Sequence, residues 1–183
     1  MNKPYFIIDF DSTFTRIEAL DLLCEIVLEN DPRREEVVAQ MKEITNQGMD
    51  GSIDFRASLS QRMALLQPHR RQIEQLAEAL KGQISESFQR NADFIVSHRE
   101  QVYVVSNGFK DFIVPVVTHY GLLAEQVYAN EFTYDEAGNV IGFNEEISWG
   151  LTNGATDVKD YYKLELTPDY GLYRFDDKWM NTE

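Results

Sequence analysis

The stretch Tyr5-Phe6-Ile7-Ile8-Asp9-Phe10-Asp11-Ser12-Thr13 decides the fold of this chain. Its first four residues form an apolar run without alternation, which is typical of a strand buried on both faces of a parallel sheet. Asp9 and Asp11 follow this run directly. Because ligand sites of open α/β sheets lie at the carboxyl ends of the strands, both carboxylates are candidate functional groups.

A second apolar run, Val102-Tyr103-Val104-Val105, leads into Ser106-Asn107-Gly108. The apolar pattern then predicts a helix over about 110–120 and a third strand over about 126–130. Strand, helix and strand in this order indicate a parallel sheet with a helical crossover. The turn residues of Asp135-Glu136-Ala137-Gly138-Asn139 predict a hairpin after the third strand.

Between the first two strands lies a long segment with helical spacing of its apolar residues. The pattern predicts helices over about 17–29, 33–47, 52–66 and 70–81, and a fifth before Val102. Gly48 is expected to end the second of these and Ser52 to begin the third.

This helical segment is too long for a single crossover. We therefore expect an α/β fold with a Rossmann-like parallel sheet, formed by residues 1–16 and 83–183. Residues 17–82 are expected to form a small helical cap inserted after the first strand.

Composition limits the classes of partner. The chain has 183 residues and a formal net charge of −14, which argues against nucleic acid as a general ligand. No apolar stretch is long enough for a transmembrane helix, and the first residues do not form a signal peptide. The single cysteine, Cys24, excludes an internal disulfide. We expect a cytoplasmic protein without membrane contact.

The chemistry of Asp9 and Asp11 has two interpretations. Two neighbouring carboxylates at a strand end favour a divalent cation, typically Mg²⁺, and they can act as nucleophile and proton shuttle. Alternatively, the two side chains merely cap the next helix.

The context resembles the haloacid dehalogenase superfamily, whose first motif is a strand followed by Asp-x-Asp-x-Thr and whose second is a strand ending in Ser or Thr. Asp9 to Thr13 and Val102 to Phe109 match these two motifs. The resemblance implies that Asp9 attacks phosphorus and that Asp11 serves as acid and base. It also implies that Ser106, Asn107 and Gly108 hold phosphate oxygens and that Mg²⁺ binds at Asp9 and Asp11.

The resemblance extends to the phosphoserine phosphatase branch, which has Asp-Phe-Asp-Ser-Thr, a Glu in the cap, and a Met-x-Gly-x-x-x-Phe run followed by an Arg. The matching residues are Glu18, Met49, Phe55 and Arg62. In that branch the Glu holds the substrate ammonium and the Arg its carboxylate, while Met and Phe line the pocket. As alternatives, Glu18 and Arg62 are solvated residues of helix faces, and Met49 and Phe55 belong to the core.

The resemblance covers about residues 4–143 and weakens afterwards. For the third motif, a phosphate-binding Lys, Lys159 is the candidate and Lys163 the reserve. The fourth motif, Gly-Asp-Gly with a further Asp, has no clear match, and Asp176 is the candidate for the remaining metal ligand. A divergent ending, a truncated one and a shifted reading frame are all compatible with this pattern.

The resemblance implies a Mg²⁺-dependent phosphomonoesterase that forms an aspartyl-phosphate intermediate and hydrolyses O-phosphoserine to serine and phosphate. One alternative is a phosphatase of the same superfamily for another small phosphorylated metabolite. The other is a catalytically impaired binding domain, because the fourth motif is not recognisable.

Overall fold

A computed structural model describes residues 4–144 and, for their backbone, the short segments 149–151 and 162–164. The strands are β1 (Phe6–Ile8), β2 (Val102–Phe109), β3 (Val127–Tyr134), β4 (Val140–Asn144), β5 (Trp149–Leu151) and β6 (Tyr162–Leu164). The helices are α1 (Ala19–Val27), α2 (Arg34–Met49), α3 (Phe55–Leu66), α4 (Arg70–Lys81), α5 (Glu86–Arg90), α6 (Ala92–Ser97) and α7 (Lys110–His119).

Four strands form one sheet in the order β1-β2-β3-β4. The first three are parallel, with Ile8 opposite Val104 and Val104 opposite Val127. Strand β4 returns antiparallel to β3, as the hairpin prediction expected. Strands β5 and β6 pair antiparallel in a separate two-stranded sheet. The α/β fold with a parallel sheet is therefore confirmed. Strand β1 lies at the edge of this sheet, and Tyr5 and Ile7 are 65% and 57% exposed, so the prediction of a strand buried on both faces is wrong for β1.

Helix α7 connects β2 to β3 and packs against both. Its apolar side chains are fully enclosed, because they fill the space between this helix and the sheet. Ring stacking of Phe109 on Phe132, with centroids 3.7 Å apart, joins the ends of β2 and β3. The fully buried α7 residues are Phe112, Ile113, Val116 and Val117.

The four helices between β1 and α5 do not form one uniform bundle. Helices α2 and α3 pack mainly against each other, whereas α4 packs against both α1 and α7. The start of α4 is also tied to the β3–β4 hairpin, since Arg70 N–H donates to Gly138 O at 2.8 Å. Arg70 lies over the ring of Tyr134, 4.2 Å from its centroid. The division into cap and core stays a prediction.

Several helix ends differ from the sequence prediction. Helix α2 continues through Gly48 to Met49, and the left-handed backbone falls instead on Gly51, with φ of 81°. Helix α3 begins after Asp54, whose carboxylate accepts from Ala57 N–H at 2.7 Å. Asp54 caps the helix rather than Ser52, because its side chain is the one that reaches the free N–H groups of the first turn. Within the described residues, no helix is both long and apolar enough to cross a bilayer.

Candidate active site at the carboxyl ends of β1 and β2

The turn Phe10–Phe14 after β1 is anchored by its two phenylalanine rings, which are buried and stacked 5.8 Å apart. Thr15 is fully buried, and its hydroxyl donates toward Phe10 O at 3.2 Å and Ile17 O at 2.9 Å. The two buried rings and the hydrogen-bonded hydroxyl of Thr15 hold the buried side of the turn in place. The polar side chains of the turn therefore face outward, at the carboxyl edge of the sheet.

Asp9 and Asp11 stand on this turn with different hydrogen bonds. Asp9 Oδ1 accepts from Phe10 N–H and Asp11 Oδ1 accepts from Ala19 N–H, both at 2.7 Å. Asp11 thus caps the first N–H of α1, so the capping interpretation holds for this residue. One oxygen of each carboxylate remains for a ligand.

Both carboxyl groups are harder to ionise than in water. Desolvation raises the pKa of Asp9, although a hydrogen bond from Phe10 N–H opposes the effect and the charge of Glu18 adds to it. Desolvation likewise raises the pKa of Asp11, to about 7, against the lowering effect of the Ala19 N–H. At neutral pH Asp11 can therefore both donate and accept a proton, as an acid–base catalyst requires.

Glu18 precedes α1 and is held toward the same turn. Ser12 Oγ donates to Glu18 Oε1 at 2.5 Å. Ser12 has φ of 53°, a left-handed backbone conformation that is uncommon outside glycine and often found at functional sites. Glu18 is exposed, as the alternative interpretation expected, yet its carboxylate has a defined partner.

The end of β2 supplies the second part of the site. Val105 pairs with Tyr128 and Phe109 with Asn130, so residues 106–108 bulge out of the ladder. Ser106 is buried, and its Oγ accepts from Gly108 N–H at 2.9 Å. A hydroxyl that accepts one hydrogen bond keeps its own proton for a second partner. The Phe10–Phe14 turn packs against this strand.

Arg62 of α3 is a cationic side chain close enough to the acidic turn to be influenced by its charges. Its Nε is buried and has no partner among the described residues. Desolvation lowers the pKa of Arg62. Three carboxylates oppose this lowering by their charge, in the order Asp21, Glu18 and Asp11. A guanidinium held without a direct partner is available to an anionic ligand.

The structure describes the remaining predicted site residues only in part. Phe55 begins α3 with 43% of its surface exposed, so it is not a core residue in this structure. Met49 ends α2, and its side chain lies outside the description. Lys159 and Asp176 lie outside the described residues, and only the backbone of Lys163 is described, in β6. Across residues 4–144, no three His, Cys, Asp or Glu side chains form a metal cluster.

Two polar residues of the site were not singled out from the sequence. Ser12 belongs to the Asp9–Thr13 motif but was not predicted to have a role of its own, although its hydroxyl orients Glu18. Asn130 is buried in the middle of β3 and donates to Asn107 O at 2.9 Å. An asparagine closing the apolar run Val127-Tyr128-Ala129 was the available signal.

Comparison with known proteins gives similarity to phosphoserine phosphatases. The human phosphoserine phosphatase is 28% identical over 137 residues, which cover 75% of this chain and 57% of the human protein. The chain thus spans little more than half the length of this relative.

Solved structures agree with that similarity. A phosphoserine phosphohydrolase-like protein from Francisella tularensis superposes with a TM-score of 0.66 at 24% identity, over 78% of this chain and 65% of that one. A phosphoserine phosphatase solved as a phospho-aspartyl intermediate analogue gives a TM-score of 0.61 at 25% identity, over 80% of this chain and 65% of that one.

A family model described as penicillin amidase matches residues 137–183, about a quarter of the chain. This match falls largely on the part of the sequence in which the third and fourth motifs have no clear counterpart. It is too short to assign the chain to that family. Over the greater part of its length, in sequence and in fold, the chain is similar to phosphoserine phosphatases.

Proposed function

We propose that this protein is a phosphomonoesterase that works through an aspartyl-phosphate on Asp9, with O-phosphoserine as its substrate. The observation that carries the proposal is the pair of carboxylates on one turn beside Ser106. Asp9 lies at the strand end, and Asp11 has a pKa of about 7. A nucleophile next to an acid that is half protonated at neutral pH fits two-step phosphoryl transfer.

In the first step, Asp9 attacks phosphorus and the ester oxygen leaves. Because Asp9 Oδ1 is held by Phe10 N–H, Oδ2 is the attacking atom. Asp11 donates its proton to the leaving serine oxygen. In the second step, Asp11 takes a proton from water as that water attacks phosphorus, and Asp9 is released with inorganic phosphate.

The site chemistry also fits a magnesium ion. Asp9 would hold it through its carboxylate and Asp11 through its backbone carbonyl, and we propose Asp176 as a further ligand. When bound, Mg²⁺ would neutralise negative charge on the phosphoryl oxygens. Ser106 donates its hydroxyl proton to a phosphate oxygen, and Asn107 and Gly108 shape the turn around it. Lys159 is the proposed second cation for the phosphate.

The proposed substrate follows from the charges around the turn. Glu18, held by Ser12, suits the substrate ammonium. Arg62, whose Nε has no partner among the residues that the structure describes, suits the carboxylate. Phe55 and Met49 would line the space between them. We propose that the protein acts in the cytoplasm. We also propose that residues 17–82, which include α2 and α3, form a helical cap.

The test is phosphate release from L-phosphoserine with Mg²⁺ and with chelator, for the wild type and Asp9→Asn. We expect release that requires both the metal and Asp9. Asp135→Asn, on the exposed hairpin turn, is the matched control and should retain full activity. Equal release by Asp9→Asn and the control would remove the nucleophile assignment.

A second candidate is a binding domain that keeps the pocket but has lost turnover. The match of residues 137–183 to an unrelated family description favours it, because the third and fourth motifs should lie there. Such a domain would show no Mg²⁺-dependent thermal stabilisation, whereas an enzyme that binds the ion in its folded state would.

A further inference from the structure

The bulge of β2 leaves its carbonyl groups without the usual ladder partners. Residues 106–108 lie opposite the single residue Ala129, because Val105 pairs with Tyr128 and Phe109 with Asn130. Buried backbone carbonyls in such a bulge need another donor. Without one, the segment that carries Ser106 would be free to shift.

Asn130 supplies that donor. Its side chain is 3% exposed, and its Nδ2 donates to Asn107 O at 2.9 Å. The bond joins β3 to the middle of the bulge. Since a carbonyl oxygen can only accept, it also sets which end of the Asn130 amide faces the bulge.

The other end of the same amide is unsatisfied. Asn130 Oδ1 is buried and has no hydrogen-bond partner within the described part of the chain. A buried acceptor without a donor costs stability. An apolar residue of similar size would remove this cost but would leave Asn107 O without its donor, so the asparagine is explained by the bond that it makes to the bulge.

We propose that Asn130 is a positioning residue that fixes the Ser106–Gly108 turn for phosphate binding. This inference rests on the proposed function. Asn130 holds Asn107 O, the turn keeps its shape, and Ser106 keeps its hydroxyl directed to the ligand. Asn130 itself does not touch the reacting atoms.

The chain contains a matched control for this role. Gln126 is also a buried amide, and its Nε2 donates to Glu100 O at 2.9 Å. Its Oε1 likewise has no partner in the part of the chain that the structure describes. Its bond lies at the amino end of β2, away from the turn. The two side chains thus share chemistry and differ in which end of the strand they support.

The experiment compares Asn130→Leu and Gln126→Leu in the full chain. Leucine removes both the donor and the unpaired acceptor while filling similar space, so both variants should fold. Inorganic phosphate is the probe, as a competitive inhibitor of phosphoserine hydrolysis and in thermal shift. We expect the inhibition constant to rise about tenfold in Asn130→Leu, as for one lost positioning bond, and to stay within about twofold in Gln126→Leu.

Equal inhibition constants in the two variants, with an active wild type, would overturn the positioning role and leave the proposed function intact. A wild type that neither hydrolyses phosphoserine nor binds phosphate would overturn both. If Asn130→Leu is too unstable to assay, Asn130→Ser takes its place, since its shorter hydroxyl cannot span the same gap.

Discussion

Gly108 offers a direct test of how tightly the turn after β2 is packed. A Cβ at this position would lie 3.1 Å from Ile113 Cδ1 and 3.2 Å from both Phe112 Cζ and Ser106 Oγ. Phe112 and Ile113 are fully buried residues of α7, so neither can move aside without disturbing the core. Gly108→Ala therefore forces the turn, rather than the helix, to shift.

The expected loss of stability follows from two opposing effects. Overpacking of a well-filled site costs about 1–3 kcal/mol. Replacing glycine by alanine restricts the unfolded chain and thereby increases the stability of the folded state by about 0.4–1 kcal/mol. The net loss should be about 1–2 kcal/mol, which for a chain of this size lowers the melting temperature by about 2–8 °C.

Gly82→Ala is the matched control. Gly82 follows α4 with φ of −83°, and its added Cβ would meet Ala79 O at an ordinary 3.6 Å. This variant should be neutral or more stable. Urea denaturation of wild type and both variants measures the difference. A Gly108→Ala protein as stable as Gly82→Ala would refute the tight packing inferred for the turn.

Two further predictions concern the charges of the site. In metal-free buffer the free energy of unfolding should fall as the pH rises from about 4 to about 7, because the pKa of Asp11 rises from 3.8 in the unfolded chain to about 7 in the folded one. Asp11→Asn should remove much of this slope, which is worth at most about 4 kcal/mol, and an unchanged slope in denaturation series at several pH values would contradict the assignment. Arg62→Ala should raise KM for phosphoserine about tenfold or more while changing KM for an aryl phosphate little, since only phosphoserine has a carboxylate to lose. Equal increases for both substrates in steady-state assays would argue against a carboxylate clamp.

The sequence determined the fold class and the location of the site. The apolar run before Ser106 forms a buried parallel strand, as predicted. The run before Asp9 also forms a parallel strand, but at the edge of the sheet and partly exposed. The carboxyl ends of such strands meet at one edge, so the candidate residues on β1 and β2 were brought together by topology alone.

Finer features depended on contacts between segments distant in the chain. The apolar periodicity of α4 predicts a helix with one buried face, but it could not reveal that this face packs against α1 and α7 or that the helix is tied to the β3–β4 hairpin at Gly138. The end of α2 was misplaced because a glycine is permitted inside a helix as well as after it.

Explaining the chemistry of the site required both the sequence and the tertiary structure. The sequence by itself determined which carboxylates follow β1, because residue type and spacing are local properties. Only the tertiary structure decided that Asp11 has a pKa of about 7 and that Asn130 holds the bulge at Asn107. Desolvation and cross-strand hydrogen bonds arise when distant segments pack together. The spacing of residues along the sequence therefore does not reveal them.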